Sequence, residues 1–106
     1  MDERTRQRFY VETTHALGML AKDPAGLLAE RGIKGTRSNT DDCIVRMLTA
    51  EVPPPEGMRW LSNPDHVRLQ VTEERESVLI VFTPDALRHF MDRFDKGRYP
   101  HLLDES

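Results

Sequence analysis

Cysteine is almost absent from this 106-residue chain, in which Cys43 stands alone. A single cysteine excludes a disulfide within the chain, and it excludes zinc sites and iron–sulfur clusters that need several cysteine ligands. Long apolar runs are also missing, since none approaches the ~20 residues of a membrane-spanning helix. The chain begins MDERTRQR, which is charged where an export signal requires an apolar stretch. We therefore expect a cytoplasmic protein without a membrane segment.

Basic residues are also fewer than acidic ones, since the chain has 15 Lys and Arg residues and 18 Asp and Glu residues. Affinity for nucleic acids depends on many Lys or Arg contacts to phosphate, so the net charge of -3 argues against nucleic-acid binding. Independent domains usually have roughly 100–150 residues. We therefore expect residues 1–106 to form a single small domain with its own core.

Three helices are predicted in the N-terminal half. Residues 4–21 repeat apolar side chains at the spacing of a helix with one buried face. Asp23-Pro24 has the residues of a helix start, and Gly32 those of a helix end. A third helix, residues 40–51, ends before three successive prolines, which cannot donate backbone hydrogen bonds.

The second half has the pattern of a small sheet followed by a helix. Residues 66–71 alternate apolar and polar side chains, as in a half-buried strand. In residues 77–82, apolar side chains occupy both faces of the strand, which predicts a central strand covered on both sides. Residues 58–61 could add a third strand. Thr83-Pro84-Asp85 opens the last helix, and Gly97 stops it.

These elements predict an α+β domain. Three N-terminal helices and a C-terminal helix are expected to pack against a small antiparallel sheet, whose hairpin covers about residues 66–82. The predicted core consists of Phe9, Leu17, Leu20, Leu27, Leu28, Ile44, Leu48, Val67, Leu69, Ile80, Phe82, Leu87, Phe90 and Phe94.

The segment Phe94-Asp95-Lys96-Gly97-Arg98-Tyr99-Pro100 resembles the ending Phe-Asp-x-Gly-x-Tyr-Pro of a group of small uncharacterised actinomycete proteins. That group also has a mid-chain cysteine with an apolar helix, a late hairpin and a proline-initiated helix. The resemblance covers roughly the C-terminal two-thirds, and it departs at Ile44, where the group has a proline. It implies an architecture and an actinobacterial source, but no chemistry. The matching positions are Cys43, Leu48, Thr83, Pro84, Phe94, Asp95, Gly97, Tyr99 and Pro100.

Catalytic patterns are missing from the sequence. Cys43 lies near a helix N-terminus, which lowers a thiol pKa, but Asp41 and Asp42 beside it favour the neutral thiol. We interpret it as a buried structural cysteine. No phosphate-binding, nucleophile-elbow or His-x-x-x-His pattern occurs. We therefore expect no catalytic, cofactor-binding or metal-binding residues, and no cofactor.

Two weaker candidates concern ions. On the last helix, Asp85 and His89 could form half a metal site, although neighbouring basic residues explain the same face as solvated. A basic loop leads into the third helix, where exposed amides and the helix dipole can hold an anion. The residues of this candidate anion site are Lys34, Gly35, Arg37 and Ser38.

The predicted function is a non-catalytic protein-interaction or regulatory domain that acts through a partner protein or as a homodimer. Large side chains without an assured core position form the candidate partner surface, because aromatic and Met side chains are enriched at interfaces. These residues are Tyr10, Met58, Trp60 and Tyr99.

The alternative function is a winged-helix-like DNA-binding regulator that reads DNA with helix 40–51. The order of three helices and a hairpin suggests it. However, that helix offers only Arg46 for DNA contacts, and the hairpin turn Glu73-Glu74-Arg75-Glu76 is acidic where a wing meets the DNA backbone.

Overall fold

Helices and strands follow one another in the predicted order. The computed structural model describes residues 1–33, 40–96 and 98, and for residues 40–42 the backbone alone. Within these residues, four helices and three strands confirm the predicted α+β class. They are α1 (Glu3–Lys22), α2 (Pro24–Glu30), α3 (Thr40–Glu51), β1 (Met58–Ser62), β2 (His66–Val71), β3 (Ser77–Phe82) and α4 (Asp85–Asp95).

Local signals in the sequence set the helix ends. At the start of α1, the Asp2 carboxylate accepts a hydrogen bond from the Thr5 N–H at 2.8 Å, and this bond lowers the pKa of Asp2. Asp23 caps α2 in the same way through the Gly26 N–H. Gly32 then adopts the left-handed conformation, with φ +66°, that ends many helices.

The three strands form an antiparallel sheet in the order β1-β2-β3, so that β2 is central. Trp60 of β1 pairs with Leu69 of β2, and Leu69 pairs with Leu79 of β3. The pairing of β2 with β3 shifts by one residue between Leu69 and Gln70, which is a β-bulge. The third strand, left open by the sequence, is therefore present.

A single layer of helices covers the sheet. α1 packs against β3 and α3 against β1, while α4 contacts the other three helices. The strand side chains that face this layer are buried, among them Val67, Leu79 and Val81. The hydrophobic core therefore lies between the helices and one face of the sheet.

The prediction of a central, doubly covered strand at residues 77–82 is wrong. β3 is an edge strand, and its outward side chains Ile80 and Phe82 are 50% and 78% exposed instead of lying in the core. The physical reason is that α1 and α3 pack on the other side of the sheet, so no described helix covers the outward apolar side chains of β3. Leu27, also predicted for the core, is half-buried.

Trp60 lies in the core and not on a partner surface, which corrects a second prediction. Its side chain is 2% exposed, and its Nε1–H donates to the carbonyl oxygen of Val52 at 2.8 Å. A buried indole needs such a partner, because an unsatisfied polar group in the interior is costly. The bond also ties β1 to the residue that follows α3.

The two phenylalanines Phe90 and Phe82 give a matched test of this packing. Phe90 is 4% exposed and stacks at a tilt on Phe94, with ring centroids 5.9 Å apart. We expect Phe90→Ala to lower the free energy of unfolding by about 3–5 kcal/mol. Phe82→Ala should change it by less than about 0.5 kcal/mol, because its ring is in solvent. Urea denaturation measures both; equal losses would contradict the one-sided packing.

Candidate interaction surface

The face of the sheet turned away from the helices carries the most unusual surface of the molecule. Side chains alternate along a strand, so the residues that alternate with the buried ones share this face. Leu61, Arg68 and Ile80 form one row across the three strands, and His66 and Phe82 form the next. We call the following six residues the open face: Arg59, Leu61, His66, Arg68, Ile80 and Phe82.

Phe82 is the most exposed large apolar side chain of the open face. Its ring meets the His66 ring edge-on, with centroids 6.4 Å apart and planes at 73°, and this contact leaves it 78% exposed. Burying a phenylalanine is worth about 1.5–3 kcal/mol relative to leaving it in water. Ile80 lies next to it on the same strand and is half exposed. The two side chains form an apolar strip along β3.

The other two strands give the open face a positive charge. Arg59 donates from Nε and Nη2 to Oε1 of Gln70, at 3.3 and 3.1 Å. The Gln70 amide in turn donates to the carbonyl oxygen of Arg75, which fixes Arg59 over the central strand. Arg68 lies between Leu61 and Ile80. Among the described residues, no carboxylate forms an ion pair with Arg59 or Arg68.

Acidic residues lie at both ends of the strands and not on the open face. At one end, Arg88 bridges the carboxylates of Asp65 and Asp85, at 3.4 and 3.5 Å. At the other end, the turn between β2 and β3 exposes Glu73, Glu74 and Glu76. The open face is therefore an apolar and cationic surface between two acidic rims, on a chain whose net charge is negative.

A groove of about 480 Å³ adjoins the edge of β3. Its walls are Arg6, Gln7 and Tyr10 of α1 and residues 77–80 of β3. The Thr83 N–H donates to the Asp65 carbonyl, so these two residues form a hydrogen-bonded pair just beyond the ends of β2 and β3. Hydrogen-bonded and non-hydrogen-bonded pairs alternate along antiparallel strands. The backbone N–H and C=O groups of Ile80 and Phe82 therefore point away from β2. Arg6 is held by Glu3 at 3.0 Å.

A second, smaller cavity of about 150 Å³ lies between α1, α2 and α3. His15, Met19 and Leu27 contribute to its wall, and Arg31 and Glu51 form an ion pair beside it. Across the described part of the chain, no group of three or more His, Cys, Asp and Glu side chains could hold a metal ion.

Of the described residues that were predicted for a partner surface, only Tyr10 is exposed. Tyr10 is 45% exposed on α1 and lines the groove, while Met58 packs half-buried against the core. Trp60 is internal, and Tyr99 lies outside the described residues, as do the candidate anion-site residues Lys34, Gly35, Arg37 and Ser38. The sequence did not predict the open face, although the alternation of residues in β2 placed Arg68 on the solvent side.

Neither α3 nor the hairpin turn, the two elements considered for DNA binding, has a basic surface among its described side chains. α3 buries Cys43, Ile44, Met47 and Leu48 and exposes Arg46 as the one basic side chain among its described positions. The hairpin turn, which would be the wing, is exposed and acidic.

Comparison with known proteins adds nothing to this geometry: no protein family, curated protein or solved structure matches the chain. In the described regions, no helix combines the length and the apolar character that crossing a membrane requires.

Cys43 provides a test of the core around α3. Its side chain is fully buried, so a thiol reagent can reach it only when the surrounding structure opens. We expect the native protein to resist alkylation and the urea-unfolded protein to react at once, as measured by mass spectrometry over time. Rapid reaction of the native protein would show instead that Cys43 is accessible and open to redox chemistry.

Proposed function

We propose that this protein is a non-catalytic interaction domain that binds a partner protein through the open face. The observation that carries the proposal is the exposure of Phe82 and Ile80 on the uncovered side of the sheet. An antiparallel sheet with one solvated face normally carries polar side chains there. Two large apolar side chains next to each other at such positions are typical of a binding surface.

The size of the open face indicates the type of complex. Three strands about 4.8 Å apart and six residues of about 3.3 Å each give a face of roughly 14 by 20 Å. Interfaces this small are typical of transient, weaker complexes rather than permanent ones. A regulatory role, in which the partner binds and leaves, fits this size better than a structural one.

Charge favours a different protein over a second copy as the partner. If two copies stacked their open faces about a two-fold axis through the central strand, Arg68 of one copy would lie close to Arg68 of the other. Like charges that meet in a contact are destabilising. A homodimer through the open face is therefore disfavoured, and the winged-helix alternative gains no basic surface from the described side chains of α3 or from the acidic hairpin turn.

Capture of binding partners from native cell lysate tests the proposal with three forms of the protein as bait. Wild type and Val11→Ser should retain a common partner, whereas Phe82→Ser should bind it about thirtyfold less, the loss that corresponds to the roughly 2 kcal/mol of a hot-spot aromatic. Val11→Ser is the control, because Val11 is an exposed apolar residue of α1 that belongs neither to the open face nor to the groove beside β3. Quantitative mass spectrometry gives the ratios.

Thermal unfolding of the same three proteins must accompany the capture, since only equal stability makes the comparison valid. Capture of the same partners in the same amounts by wild type and by Phe82→Ser would contradict the proposal. Sedimentation of the purified chain distinguishes the remaining possibility: a dimer that Phe82→Ser dissociates would mean that the open face binds a second copy.

A further inference from the structure

We infer that the occupant of the open face is an acidic amphipathic segment of another protein. Its carboxylates would bind Arg59 and Arg68, and its apolar side chains would cover Ile80 and Phe82. The inference rests on the proposed function and specifies the partner's chemistry. It follows from the juxtaposition, on one uncovered face, of two arginines that form no ion pair with the described carboxylates and an exposed apolar strip.

Charge complementarity favours an acidic partner. The open face carries cations and no carboxylate, although acids outnumber bases in the chain. A guanidinium offers a planar set of N–H donors that matches a carboxylate in a bidentate pair. Arg59 is already oriented by Gln70, so less side-chain freedom is lost when a carboxylate binds it.

The spacing of the two arginines fits carboxylates on regular secondary structure. Arg59 pairs with Gln70, and Arg68 precedes Gln70 by two residues on β2, so the two arginines are diagonal neighbours. Diagonal neighbours on paired strands are about 7–8 Å apart. Acidic residues one helical turn apart have Cβ atoms about 5–6 Å apart, a distance that the long arginine side chains can bridge.

The open face is divided into a cationic side and an apolar side. The arginines come from β1 and β2, whereas the apolar strip of Ile80 and Phe82 comes from β3. An occupant must therefore be acidic along one side and apolar along the other, which is the pattern of an amphipathic helix or strand. A uniformly acidic chain would leave the apolar strip in water.

Single-stranded nucleic acid fits the same surface less well. Stable phosphate binding needs several cations along the path of the backbone, and the open face offers two arginines. A strand that continued past either end would meet carboxylates: Asp65 and Asp85, which share Arg88, at one end and the turn residues Glu73 and Glu74 at the other. The observations therefore favour a protein segment of limited length.

Three designed peptides test the inference. Each is an amphipathic helix of about five turns with the same Leu and Phe positions, and the polar positions carry Glu, Gln or Lys. The full chain is titrated with each peptide, and binding is followed by amide NMR shifts and fluorescence anisotropy. We expect affinity to decrease in the order Glu, Gln, Lys, with shifts confined to residues 58–62, 66–70 and 79–83.

Matched variants of the protein separate charge from apolar contact. Arg59→Gln with Arg68→Gln should weaken the Glu peptide about tenfold, to the level of the Gln peptide. Arg4→Gln is the control, because it removes an exposed charge on α1 that is not part of the open face. Salt at about 1 M, where the Debye length falls to roughly 3 Å, should remove most of the difference between the peptides.

Each contrary outcome has its own meaning. If the Gln and Lys peptides bind the open face as tightly as the Glu peptide and all depend on Phe82, the proposed function stands and the acidic partner is wrong. If the Glu peptide shifts other residues or none, the inference is overturned, and the lysate capture decides the proposed function separately. If a single-stranded oligonucleotide displaces the Glu peptide at equal concentration, the occupant is a nucleic acid.

Discussion

The packing of α1 and α3 against one face of the β1-β2-β3 sheet is the contact on which the rest of the structure depends. A small sheet in water is marginal without a layer to cover its apolar side, and here Val67, Leu69 and Leu79 are buried beneath the helices. α4 stabilises this arrangement through its contacts with α1, α2 and α3. The indole bond from Trp60 to Val52 anchors the junction between α3 and β1.

One-sided packing also determines what the molecule can do. Because α1 and α3 pack on the same side of the sheet, no described helix covers the opposite face. Its residues are held by the strand register and by the Arg59–Gln70 hydrogen bonds, so the surface needs little rearrangement to bind the proposed partner. A preformed surface loses less side-chain entropy on binding, which suits a small and reversible interface.

The sequence predicted the elements well because their signals are local. Asp23, Pro24 and Gly32 mark both ends of α2, and the alternation in residues 66–71 identifies β2. The position of β3 within the sheet depended on tertiary packing, which no local pattern contains. A strand with apolar side chains on both faces is consistent with a sheet that is covered on both sides. It is equally consistent with a sheet that is covered on one side and binds another molecule on the other. For Ile80 and Phe82, and hence for the candidate site, only the folded arrangement separates the two cases.

The sheet edge at β3 carries features that oppose pairing with another sheet. An unpaired edge is a template for aggregation through sheet extension, and natural proteins interrupt it with bulges, proline and charge. All three occur here: the irregular pairing near Leu69 lies towards one end, Pro84 without an N–H follows the other, and Glu76 precedes the strand. A second sheet could pair regularly only along the few residues around Ile80 and Phe82. The apolar strip can thus face solvent while the backbone beside it resists growth into a fibril.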